Sequence, residues 1–429
     1  MHIWQAITET SQGRAVLLRL VVVDDSSWFG TYATPVVLAF AVLEHGGGAS
    51  QVGFVLAADT IGMLACIPYG GVVADRLPRN VVMCLAEIAA AGFQALAILV
   101  IVDGIAMFPW LVMLQGLVGV SRGFFNPAAT GLVASLIEDD RVRQSANGLL
   151  GTAQALARLG GPAVSGAMIA ASGPVAALLT NCGAYALSAF VLATLPRPLT
   201  RERPERMLES IRRGWHELRA REWLWLTVAW FSALQCVAQA PLLVLGPEIA
   251  RRSLQGSAGW GLVLGGVGAG AAAGAALTAF LRPRRPLRPA IAAYALYALP
   301  LLALAKPASL PVVVVSAVLA GGSGGFFAAS WFTIFQRNVP REAISRISAW
   351  DWEASLAGLP LGMVIAPLVA ERIGVPLTLV SAAAATVALT GVVARRTSLG
   401  SVAASAPVRT ERRQGVSRRL DRVGWLQHG

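Results

Sequence analysis

The chain of 429 residues is 55% hydrophobic and only 14% charged, with a mean hydropathy of +0.62. Soluble domains run at roughly 45–50% apolar and about 25% charged residues, so an ordinary soluble fold is excluded. The net charge of +12 does not indicate nucleic acid, because the basic residues lie in short loops and at the C-terminus without interleaved aromatics.

Crossing a bilayer as a helix takes about 20 apolar residues. Apolar runs predict six spans near 15–42, 50–74, 81–102, 107–136, 144–171 and 174–195. Six more follow near 223–248, 258–281, 289–305, 309–335, 344–370 and 374–394. The expected organisation is an N-terminal six-helix bundle (1–195), a linker (196–222), a C-terminal six-helix bundle (223–395) and a disordered basic tail (396–429). The first apolar run is too long for a cleavable signal and continues into the multi-span array.

Orientation follows from the arginines. With both termini in the cytoplasm, 28 of the 35 basic residues are cytoplasmic; Arg19, Arg122 and Arg158 fall within spans, and Arg251, Arg252, Lys306 and Arg372 lie outside. The expected location is the cytoplasmic membrane, with lipid as surroundings. Cys66, Cys84, Cys182 and Cys236 all fall in apolar runs and form no CxxC pair, so neither a disulfide framework nor a metal site is indicated.

The two halves repeat. Phe124-Phe125 in span 4 matches Phe326-Phe327 in span 10, and Arg143, Ser145 and Ala146 match Arg346, Ser348 and Ala349. Gly53, Leu56 and Gly62 in span 2 match Gly261, Leu264 and Gly270 in span 8. Duplicated bundles are a common way of building a secondary transporter, with the substrate site between repeats near mid-membrane.

Between spans 2 and 3 sits a charged hinge, Gly71-Val72-Val73-Ala74-Asp75-Arg76-Leu77-Pro78-Arg79-Asn80. Its Gly-x-x-x-Asp-Arg-x-x-Arg pattern resembles the loop between helices 2 and 3 of the major facilitator superfamily, with Pro78 and Asn80 departing from the usual Gly and basic residue. Phe124-Phe125-Asn126-Pro127-Ala128, Arg143-Gln144-Ser145-Ala146-Asn147-Gly148-Leu149, Trp223-Leu224-Trp225 and Arg346-Ile347-Ser348-Ala349-Trp350-Asp351-Trp352 are similar to stretches of its enterobactin-exporter and macrolide-efflux branch. The resemblance implies an all-α membrane protein of twelve transmembrane helices in two pseudo-symmetric six-helix bundles. In that fold helices 1, 4, 7 and 10 line the central cavity. Gly148, Ala157, Gly161-Pro162, Ser165 and Gly166 approximate the family's Gly-rich antiporter motif, while ordinary tight packing of small residues explains the same pattern.

A charge at the bilayer centre costs about 2.5–3.5 kcal/mol even on lenient scales, so each needs a partner or a wet cavity. The resemblance sets Asp24 or Asp25 of span 1 opposite Arg122 of span 4, as a proton- or substrate-linked pair or as a structural ion pair. The two aspartates point about 100° apart, so one can face the cavity while the other meets a neighbouring helix. Asp59 in span 2 is the next coupling candidate; it and Arg158 in span 5 are also candidates for gating contacts with the opposite half. Glu87 in span 3 is expected to reach the interface. Gating candidates are Gly71, Asp75, Arg76, Arg79, Asp351, Gly161 and Pro162, with Asp75 at the start of span 11 and Arg76 or Arg79 near Asp351.

The expected function is proton-coupled export of a small amphipathic compound by a monomer, with import of a small solute as the alternative. An enzyme would need His, Asp or Cys clustered at one membrane face, and a sensor would carry an added folded domain; neither feature is present. No Walker A pattern occurs, and no cofactor is implied.

Overall fold

The computed structural model describes residues 11–103, 108–137, 139–196, 207–281, 283, 285–306, 308–340 and 343–396. From residue 397 on, the basic tail lies outside the described residues, as do linker residues 197–206. The described chain is helical throughout, without strands. Helices α1 (Ser11–Glu44), α2 (Ala49–Arg76), α3 (Arg79–Asp103) and α4 (Phe108–Leu136) are spans 1 to 4, and α5 (Asp140–Ala193) carries spans 5 and 6. A short helix, α6 (Met207–Arg219), occupies the linker. Span 7 comprises α7 (Glu222–Leu234), a π-helical stretch (Gln235–Gln239) and α8 (Ala240–Ser253). Span 8 is α9 (Gly256–Leu281). Span 9 comprises α10 (Leu287–Ala293), a 3-10 turn (Tyr294–Tyr297) and α11 (Ala298–Ala305). Span 10 is α12 (Leu310–Asn338), span 11 is α13 (Ile344–Leu356) with α14 (Gly358–Ile373), and span 12 is α15 (Val375–Ala394).

Eleven described stretches are long and apolar enough to cross a bilayer, one of them, Val142–Ala193, being 52 residues long. At 1.5 Å per residue that helix would measure about 78 Å, against a hydrocarbon core of about 30 Å. Its backbone breaks at Gly173, where φ is +80° and ψ 169°. That left-handed region is open to glycine at little cost. The stretch is therefore two spans, as the apolar runs predict, and the chain is a multi-pass membrane protein of twelve spans. Large apolar side chains such as Phe280 (84% exposed) and Phe190 (69%) point outwards, as hydrocarbon permits and water would penalise.

The hinge is tighter than its sequence suggests. Helix runs through Arg76 and resumes at Arg79, so only Leu77 and Pro78 lie between the helices. Leu77 is extended (φ −115°, ψ 155°), the conformation that a following proline favours. Gly71, Asp75 and Arg76 thus occupy the last turns of α2 rather than a loop.

The repeat seen in sequence is a repeat of contacts. A side chain at Gly62 would overlap the Gly116 carbonyl of span 4, and one at Gly270 would overlap the Val318 carbonyl of span 10. Gly119 abuts the backbone of Asp59 and Gly321 that of Val267; Gly123 abuts Met63 and Gly325 abuts Ala271. Glycine lets the two backbones of each pair approach closely, which is how helices associate where no water drives them together. Equivalent glycines also join the halves. Gly53 of span 2 meets the Met363 carbonyl of span 11, and Gly261 of span 8 meets the Pro162 carbonyl of span 5. These inter-half contacts lie at the end of the bundle opposite the hinge, where Ser50 also hydrogen-bonds Glu371 and the Arg251 guanidinium donates to the Leu43 carbonyl at 3.1 Å.

Gly62→Val should lower the thermal stability of the purified protein in detergent, by about 1–3 kcal/mol, the usual cost of overpacking. Gly148→Val, where nothing lies within reach of the added atoms, should change stability far less. Equal melting temperatures for the two variants would contradict the packing account.

Candidate functional site

Span 1 has a clear inner face. Leu20, Val23, Ser27, Gly30 and Thr34, spaced by three or four residues, are all buried against the N-terminal half. At about 100° per residue, Asp25 falls on the opposite side, beside Leu18, Val22, Phe29 and Tyr32, and it is exposed. Asp24 lies at the flank, half-buried, and accepts a hydrogen bond from Trp28 Nε1 at 3.1 Å. Trp28 in turn stacks on Tyr32, ring centres 5.6 Å apart. Neither aspartate pairs with Arg122.

Arg122 pairs instead with Asp59 of span 2, its guanidinium 2.6 Å from Oδ2. The sequence reading sets the arginine against span 1; the structure assigns it to span 2, because Gly119, one turn earlier on span 4, admits the backbone of Asp59. Both side chains are largely withdrawn, at 18% and 10% exposure. Tyr32 of span 1 and Tyr185 of span 6 lie within electrostatic reach of the guanidinium. Asp59 is thus engaged inside its own half, not across the interface. Its other oxygen, Oδ1, is buried without a hydrogen-bond partner among the described residues.

Glu87 also departs from expectation. It does not reach the interface: it is 3% exposed and accepts a hydrogen bond from the Ser188 hydroxyl of span 6 at 3.0 Å. It lies about 12 Å along α3 from Arg79, at 1.5 Å per residue, and its side chain turns inwards. Nearby, Asn181 Nδ2 donates to Thr34 Oγ1 at 2.9 Å. The interior of the N-terminal half is therefore polar.

The gating candidates fall into two groups. Gly161 rests against Phe29 and Tyr32 of span 1, and Pro162 against Gly261 of span 8, so the Gly-Pro step of span 5 touches both the cavity helix and the opposite half. At the hinge, Arg79 donates to the Gly131 carbonyl of span 4 at 2.6 Å and stands 4.0 Å from Asp75. Arg76 is exposed, and Gly71 has open space beside it. Asp351 accepts from Trp331 Nε1 of span 10 at 2.9 Å. Arg79 and Asp351 each hold a partner within their own half and are not brought together.

The C-terminal half contains a continuous aromatic cluster in which Trp230, Phe231, Tyr294, Phe327 and Trp331 contact one another in turn. The irregular stretches of spans 7 and 9 are joined there by a hydrogen bond from the Tyr297 hydroxyl to Gln239. π-Helical turns of this kind recur at functional sites. Arg158 is exposed at mid-span, within electrostatic reach of Tyr32, Tyr294 and Tyr297, and makes no ion pair with a described residue.

A family model described as Major Facilitator Superfamily matches residues 26–352. The chain belongs to that superfamily. Members are transporters of small molecules, not enzymes, and the arrangement above is read as a transporter's. Its curated relatives include the multidrug efflux pump Tap of Mycolicibacterium fortuitum, 24% identical over 387 residues, covering 87% of this chain and 93% of the relative. Tap of Mycobacterium bovis (strain BCG / Pasteur 1173P2) is 25% identical over 377 residues, covering 84% and 88%. Among solved structures, a peptide transporter in complex with sulfate superposes with a TM-score of 0.73 at 12% identity, covering 91% of this chain and 96% of the other. A bacterial homologue of the lysosomal transporter Spinster, inward-facing and unoccupied, superposes with a TM-score of 0.68 at 15% identity, covering 88% and 95%. At these identities the structures establish the fold alone.

Removing one member of a buried ion pair strands the other and costs about 3–5 kcal/mol. Asp59→Asn and Arg122→Gln should each therefore destabilise the superfamily fold strongly. The double variant should lose clearly less than the two added together, as coupled partners do. Additive losses in thermal unfolding would show that the two side chains do not interact.

Proposed function

We propose that the chain is a proton-coupled exporter of small amphipathic compounds, working as a monomer in the cytoplasmic membrane with both termini and the hinge on the cytoplasmic side. The observation that carries the coupling is an asymmetry. The contact pairs Gly119–Asp59 and Gly321–Val267 align the halves, so the positions of Asp59 and Arg122 correspond to Val267 and Gly324 in the C-terminal half. The same helix packing is made there without charges. The ion pair is therefore not required by the fold, and its cost in a membrane asks for a functional return. The efflux role of the Tap proteins supports export.

In this reading Asp25, on the cavity side of span 1, takes protons from one face and releases them to the other. Protonating Asp59 would break its pair and leave Arg122 with an uncompensated buried charge. Such a state favours rearrangement, so proton and substrate are linked through their different preferences for the two open forms. Contacts between halves at the end away from the hinge match a form open towards the cytoplasm. Gly161 and Pro162 would move span 5 against spans 1 and 8, and Gly71, Asp75, Arg76, Arg79 and Asp351 would act at the cytoplasmic end when the halves close there.

Inverted vesicles loaded by an imposed proton gradient test the coupling with a panel of fluorescent amphipathic dyes. Asp25→Asn should abolish gradient-driven accumulation while leaving passive exchange, and Asp24→Asn should retain part of the accumulation. If both variants accumulate dye like the parent, coupling does not run through span 1. Asp75→Asn should reduce transport with membrane insertion unchanged, a result read from protein level in washed membranes beside the dye assay. Unaltered dye transport in correctly inserted protein would rule out the hinge as a gate.

A further inference from the structure

The linker helix α6 has two faces. Leu218 is buried, while Arg212, His216 and Arg219, at positions i, i+4 and i+7, share an exposed stripe. With Arg213 and Trp215 they line an open cavity of about 520 Å³, and no acidic residue is among its described lining. The ring of Trp215, 39% exposed, packs on Trp350 of span 11 with centres 4.8 Å apart, and the Arg219 guanidinium stands 5.4 Å from the Trp215 ring centre. Trp350 adjoins Asp351, which is bonded to Trp331 of span 10. A cationic cavity on a helix joining two membrane spans is thereby connected to the second turn of span 11.

We propose that this cavity is a binding site for the headgroup of an anionic phospholipid, and that its occupancy steadies the start of span 11. Arginine guanidinium groups match a phosphodiester in shape and charge. The helix links the ends of spans 6 and 7 and so lies at the bilayer surface, where headgroups are the concentrated anions and basic residues are drawn to them. Tryptophan beside the arginines suits the boundary between headgroup and acyl chain. The cavity is far larger than a phosphate ion needs, which favours a headgroup over a soluble anion. None of this depends on the substrate or on proton coupling.

Native mass spectrometry of the purified full chain, with phosphatidylglycerol and phosphatidylcholine offered together, tests the site. The parent should retain phosphatidylglycerol preferentially. Arg212→Gln/Arg219→Gln should weaken that retention by roughly 10- to 30-fold, and Arg212→Lys/Arg219→Lys should keep much of it while confirming an intact fold. Equal retention by the parent and the Gln pair would overturn the site. Displacement of the lipid by inorganic phosphate at comparable concentration would reassign it to a soluble anion and equally overturn it. Hydrogen exchange over residues 344–356 in lipid nanodiscs tests the link to span 11. Phosphatidylglycerol should slow exchange there in the parent but not in Trp215→Ala. The same slowing in that variant would overturn the link.

Discussion

Close approach of backbones through glycine sets the geometry on which everything else rests. In hydrocarbon there is little hydrophobic drive between helices, so association relies on contact and on satisfied polar groups. Here Gly62, Gly119 and Gly123 join spans 2 and 4, and Gly270, Gly321 and Gly325 join spans 8 and 10 in the same pattern. Gly53 and Gly261 then meet carbonyls across the interface between halves. One device thus builds each bundle and brings the two together. The contacts between halves must part if access alternates. Carbonyl-to-glycine contacts suit that parting, because they give surface complementarity without strong hydrogen bonds to break.

On that symmetric frame the chemistry is unequal. The N-terminal half encloses Asp59, Arg122, Glu87, Asn181 and Ser188, tied by specific hydrogen bonds. The C-terminal half fills the corresponding region with aromatic rings and carries Val267 and Gly324 where the ion pair would stand. Packing cannot account for the difference, since both halves make the same helix contacts. The two interiors thus differ in kind: one buries charged and hydrogen-bonded groups, the other packed aromatic rings. Arg158 belongs to the first half by sequence yet lies near the tyrosines of the second.

Much of this frame was legible in the chain. Hydropathy gave the twelve spans, including the break that Gly173-Pro174 puts inside one helix, because span length is set by bilayer thickness rather than by tertiary detail. The internal repeat was legible because small residues recur where backbones touch. Partner choice was not. Arg122 and Asp59 lie 63 residues apart on different helices, and no spacing rule links them; the family resemblance pointed to span 1 instead. Glu87 was misread for a related reason. Its distance from the end of α3 is compatible with reaching water, and only the placement of Ser188 shows the side chain turning inwards. The π-helical and 3-10 stretches of spans 7 and 9 leave no trace in apolar composition, since neither changes which residues are greasy.

These irregular stretches bear on how the aromatic half moves. Span 7 is π-helical at Gln235–Gln239, span 9 is 3-10 at Tyr294–Tyr297, and span 11 is interrupted between Leu356 and Gly358. They are neighbours: Tyr297 bonds Gln239, Gly358 N–H donates to the Ser232 hydroxyl at 3.0 Å, and Gly362 abuts Cys236. Departures from the regular ladder weaken a helix locally and are where helices bend. Three such points at one level form a layer about which the two ends of these spans can tilt separately. The N-terminal half shows no equivalent among its described helices in spans 1 to 4, which run unbroken. Among these described spans, the non-α turns therefore fall in the half without the ion pair, while the N-terminal helices carry internal prolines, Pro35, Pro68 and Pro127, within unbroken helix.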